Sequence, residues 1–110
     1  MILQIFGTTK SSDTKKAERF FKERGINIQF INLNEKKISK GELENIINSI
    51  PAEDIIDKEC FEYKKKNFRY MSFDPKELIL ENPLIVKMPV VRYNNKATAG
   101  YCPDVWKSWF

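Results

Sequence analysis

The sequence predicts an α/β domain with a four-stranded mixed sheet, in the chain order β-α-β, a helical insert, then β-β-α. Three observations carry this expectation. A short apolar run, "ILQIF" (Ile2–Phe6), leads through a polar loop into an amphipathic helix and then a second strand-like run, "INIQFINL" (Ile26–Leu33); two such strands joined by a helix form a right-handed parallel crossover. The stretch of about 39–83 carries repeated helical caps and helical spacing. The last part pairs two strand-like segments around "NN" before a helix that opens on proline.

Each element has a local cause. The first strand is short and nearly all apolar, as suits a strand buried on both faces. The first helix is expected from about Asp13 to Arg24, with Ser12 or Asp13 as cap, Ala17, Phe20 and Phe21 on one face, and Gly25 just past its end. "SKGELENIINSI" opens with Ser39 and Glu42 at capping-box spacing and continues with Leu43, Ile46, Ile47 and Ile50 at helical spacing. Pro51 begins a further turn, "PAEDIIDK", and "ECFEYKKKNFRY" reads as another short helix. "DPKELILENP" is a helix with Asp74 as cap, Pro75 at its first position and Pro83 as its stop. Val90–Tyr93 and Lys96–Gly100 form a hairpin across Asn94–Asn95, a turn suited to positive φ. Pro103 starts the last helix, in which Trp106, Trp109 and Phe110 are expected to pin the chain end to the sheet.

Composition narrows the function. A chain of 110 residues, 42% hydrophobic and 13% aromatic, is expected to form one domain over 1–110. The formal charge of +4 comes from dispersed lysines, so nucleic-acid binding is not demanded, and "YKKKNFRY" reads first as a solvated helix face. With no histidine the commonest general base and metal ligand are missing, and Cys60 and Cys102 form neither a zinc pattern nor a disulfide framework. The expectation is a cytoplasmic monomer with no metal, no bound cofactor, no membrane span and no direct contact with nucleic acid.

The order β-α-β, insert, β-β-α is that of the thioredoxin-like fold. Four segments sharpen it: "IFGTTKSSDTKKAERFFKERGI", "LNEKKISKGEL", "LILENPLIVKMPVVR" and "AGYCPDVW". Through them the chain resembles the arsenate reductase (ArsC)/Spx-like family of thioredoxin-fold proteins over essentially its whole length; the pairing of "ENPLIVK-x-P" with "GY-x-P-x-x-W" is the specific part. The resemblance implies that Ser11 stands where the family carries its nucleophilic cysteine, that Thr14 stands at the partner cysteine of the Spx-type pair, and that Pro89 is the cis-proline facing the loop. It also implies that Asp57, Met88 and Cys102 replace the arginines that hold an oxyanion in arsenate reductases.

Thiol redox chemistry needs a thiolate, which a helix N-terminus favours by lowering the thiol pKa. A serine hydroxyl ionises too weakly and forms no disulfide. Ser11 and Ser12 are most simply capping residues. The expectation is therefore an arsenate reductase-like protein, a thiol oxidoreductase by descent, inactive as written. The alternatives are a Spx-like regulatory module that binds RNA polymerase, or a reductase coupled to glutathione or glutaredoxin if Ser11 stands in place of a replaced cysteine. The helix start should still favour small anions, with Lys10, Ser12 and Arg92 as binding residues; Lys15 and Lys87 are further nearby cations, and Arg92 shares the strand phase of Met88.

Overall fold

The computed structural model describes residues 2–65 and 74–110. The chain runs through strand β1 (Leu3–Gly7), helix α1 (Ser12–Glu23), strand β2 (Ile28–Asn32), helices α2 (Lys40–Ile47), α3 (Ala52–Ile55), α4 (Phe61–Lys65) and α5 (Pro75–Glu81), a 3-10 turn (Pro83–Ile85), strands β3 (Val90–Tyr93) and β4 (Lys96–Ala99), and helix α6 (Pro103–Lys107). The strands form one mixed sheet in the order β2-β1-β3-β4. β1 pairs in parallel with β2 (Ile5 opposite Phe30) and antiparallel with β3 (Ile5 opposite Val91). β3 and β4 close the predicted hairpin, with Asn94 at φ 57 in the turn.

Alternation along β1 divides the core. Leu3 and Ile5 face one side, where they pack with Ala17, Phe20 and Phe21 of α1, Val91 and Trp106. Phe6 faces the other side, where Ile31, Leu43, Ile46, Leu78 and Ile79 form the second cluster under the insert. Gln4 shares that second face, and its amide nitrogen donates to Gln29 Oε1 at 3.1 Å and to Glu42 Oε2 at 3.3 Å. A polar side chain within an apolar strand is accommodated because it is hydrogen-bonded.

The insert is tied shut where it leaves and rejoins the sheet. Ile56 bridges to Val86, and the Asp57 N–H and Lys87 N–H each reach across at 2.7 Å, to the Ile85 and Ile55 carbonyls. Its caps match the sequence. Ser39 and Glu42 form a reciprocal capping box, and Asp74 caps α5 through Lys76 N. Several boundaries differ: β1 is Leu3–Gly7 rather than Ile2–Phe6, and β4 ends at Ala99 rather than Gly100. α1 begins at Ser12, and its cap is Ser11 rather than Ser12 or Asp13; β2 spans only Ile28–Asn32. Of the helix expected in "ECFEYKKKNFRY", Phe61–Lys65 is present and the rest lies outside the described residues.

Trp106 joins α6 to the sheet. It is fully buried, its ring packs edgewise on Phe20 and Tyr101, and its Nε1–H donates to Thr98 Oγ1 at 2.7 Å. Trp106→Ala should lower the unfolding free energy by about 3–5 kcal/mol, the range for deleting a buried aromatic. Trp106→Phe, which keeps a ring but leaves the Thr98 hydroxyl without its donor, should lose about 1–3 kcal/mol. Urea unfolding followed by far-ultraviolet circular dichroism measures both, and equal losses would refute a separate role for the Thr98 bond.

Candidate functional site

The corner between β1 and α1 is built by close approach. A Cβ placed on Gly7 would collide with Thr14 Oγ1 and lie 2.8 Å from Thr14 Cγ2, so only glycine lets the helix sit this near the strand end. Thr14 is fully buried, and among the described residues its hydroxyl oxygen is the buried side-chain oxygen with no partner. The loop from Thr8 closes through Ser11 N–H to Thr8 O at 3.2 Å. Ser11 is extended (φ −79°, ψ 117°), and its Oγ accepts from Thr14 N–H at 3.2 Å. The hydroxyl at this corner is an N-cap. Asp13 stands in the first turn, where a carboxylate is favoured by the helix dipole, with Lys16 at 3.9 Å.

The chain from α5 to β3 completes the corner. Pro89 is buried, and the Met88–Pro89 bond is cis, as the resemblance implied. The Thr8 hydroxyl donates to Met88 Sδ at 3.7 Å, so the thioether lies against the loop where an arginine was implied. Lys10, Ser12, Lys15 and Lys87 are exposed, and none has a hydrogen bond or ion pair through its side chain among the described residues.

Arg92 is placed elsewhere. It pairs with Gln4, three residues before Gly7, which is roughly 10 Å back along the strand. Its Nε donates to Asn45 Oδ1 at 2.8 Å and its Nη1 to Gln4 Oε1 at 2.6 Å. The expectation that Arg92 reaches the Ser11 corner is corrected: it shares the face of Met88 but lies at the other end of the strand. Asp57 also serves locally, its Oδ1 accepting from Glu59 N–H at 3.0 Å.

Neither cysteine sits where a thiolate is favoured. Both are free and half-buried, and burial is the leading cause that pushes each thiol above its ordinary value. Cys102 Sγ lies 3.6 Å from the Ala99 carbonyl oxygen, and Cys60 Sγ lies 4.0 Å from that of Ile85. Among the described residues no group of three or more Cys, Asp or Glu side chains is placed to hold a metal ion. Gly7 is the site residue that inspection for reactive groups passes over; its signal is a glycine ending an apolar strand just before a capped helix.

Two outcomes follow from this geometry. Gly7→Ala should cost about 1–3 kcal/mol by overpacking, and adding Thr14→Ala should recover most of that loss; additive losses in a double-mutant cycle would contradict the contact. At neutral pH Cys60 and Cys102 should alkylate more slowly with iodoacetamide than an unstructured cysteine. Because the raised values favour the neutral thiols in the fold, their contribution to stability is intact below the ordinary thiol pKa and is lost as pH climbs through the raised one. Rates equal to those of the unfolded chain at pH 7.5 would contradict it.

No protein-family model and no curated protein matches the chain in sequence. Solved structures do match in shape. An ArsC-family-related protein from Bacteroides fragilis superposes with a TM-score of 0.86 at 20% identity, covering 100% of this chain and 98% of that one. An arsenate reductase from Vibrio cholerae gives 0.83 at 20% identity, with the same coverage. An arsenate reductase (ArsC) related protein from Brucella melitensis gives 0.69 at 23% identity, over 100% and 95%. The sheet order, the helical insert and these superpositions together establish that the chain has the ArsC-like thioredoxin fold.

Proposed function

We propose that this chain is an arsenate reductase-like protein, a thiol oxidoreductase by descent, whose β1–α1 corner no longer performs thiol redox chemistry. One observation carries the reading: the hydroxyl at the corner is already committed, accepting the Thr14 N–H as the cap of α1. Reduction of an oxyanion or a disulfide at such a corner begins with attack by a sulfur lone pair, and the mixed product is then resolved by a second thiol. An oxygen that caps a helix offers neither step. With no histidine in the chain, no imidazole base is at hand to ionise it. Burial raises the pKa of both thiols present, which argues against either taking over.

The experiment is arsenate reduction with glutathione and glutaredoxin as electron donors. The chain should give no turnover above the protein-free background. Turnover well above background that survives alkylation of Cys60 and Cys102 would overturn the reading. The Ser11→Cys variant supplies the positive side. A thiol at that position faces the start of α1, so it should alkylate at neutral pH at least about tenfold faster than Cys60 or Cys102, as a thiol with a depressed pKa does. It should also form a mixed disulfide with oxidised glutathione.

A further inference from the structure

We propose that the opposite end of the sheet, remote from the Ser11 corner, holds a binding site for a small carboxylate seated on the Arg92 guanidinium. Gln29, Gln4 and Arg92 stand side by side across β2, β1 and β3. With Ile2 and Asn94 they line an open depression of about 280 Å³. Arg92 is half-buried and held at fixed orientation by two uncharged oxygens, Asn45 Oδ1 and Gln4 Oε1. These use two of the five N–H groups of a guanidinium. The others have no partner among the described residues.

The guanidinium has no direct ion-pair partner among the described residues. Glu42, which touches the same network, keeps its charge but is held off the guanidinium by Gln4: Oε1 accepts from Ser39 N–H at 3.0 Å and Oε2 from Gln4. A cation fixed by neutral amides beside an open depression can take an anion as its direct partner. The planar fork of the guanidinium matches a carboxylate through two parallel N–H···O bonds. The side-chain amides of Gln29 and Asn94 stand ready as further donors. With one cation and no helix N-terminus in the depression, a monoanion is favoured over a phosphate dianion. Ile2, 61% exposed, gives the depression an apolar wall that suits a short hydrocarbon tail. The bland alternative is that Arg92 only pins α2 to the sheet, with water on its remaining N–H groups.

The test is NMR titration with sodium butyrate against sodium chloride at equal ionic strength. Saturable shifts are expected at the Arg92 Nε–H, the Gln29 and Asn94 side-chain amides and the Ile2 methyls, with half-saturation in the millimolar range. Acetate should bind several-fold more weakly for want of a tail, and inorganic phosphate more weakly than butyrate. Gln29→Glu keeps the oxygen that accepts from Gln4 while adding a carboxylate at the rim, so it leaves the fold intact and should weaken butyrate at least about tenfold. Absence of saturable shifts to about 100 mM, unchanged affinity in Gln29→Glu, or phosphate binding as tightly as butyrate would each overturn the proposal.

Discussion

The structure depends on how closely α1 sits on the end of β1. β1 is an interior strand, paired over its length with β2 and over part of it with β3, so it is held on both sides. Gly7 presents only its Cα at the strand end, and Thr14 fills the space a side chain would take. That contact fixes the height of the helix over the sheet. With the height set, Ala17, Phe20 and Phe21 fall onto Leu3 and Ile5, and Trp106 closes the same layer from α6. A helix lifted by the volume of a methyl group would open a gap along that whole layer, and close-packed interiors lose dispersion contacts quickly with such gaps.

The same contact decides what the corner can do. It aims the first N–H groups of α1 at residue 11, the geometry that lowers the pKa of a thiol or receives an anion. With serine there, the hydroxyl turns inward and takes the Thr14 N–H for itself. Asp13 adds a negative charge in the first turn, which satisfies the dipole locally. Met88, joined to Thr8, puts a thioether rather than a cation against the loop.

Much of the fold was legible because its signals are local. The Ser39–Glu42 capping box, the Asp74–Pro75 helix start and the Asn94 turn each need only a few neighbouring residues, and each stands where the spacing put it. The cap of α1 was legible as a set rather than as a residue: Ser11, Ser12 and Asp13 all cap well, and only the three-dimensional path of the loop selects Ser11. Arg92 shows the opposite limit. Period-two alternation correctly gives its face of the sheet, yet it says nothing of distance along the strand, and distance separates it from the corner. Its partners, Gln4 and Asn45, are 88 and 47 residues away. Gln4 was the visible clue, since an amide inside a buried strand requires polar company.

A serine oxygen and a cysteine sulfur at position 11 would give this corner different roles as well as different reactivity. Sulfur is a weak hydrogen-bond acceptor, and a cysteine there contributes to the protein chiefly as a thiolate. A serine oxygen accepts the Thr14 N–H and belongs to the best class of N-cap residues, typically worth about 1 kcal/mol over alanine. Against a net stability of about 5–15 kcal/mol for a domain, that contribution is substantial. It falls on the one helix whose seat on β1 organises a whole layer of the core. A corner whose geometry suits a reactive group is here a stabilising one: the backbone that would activate a thiol is the backbone that a serine ties down.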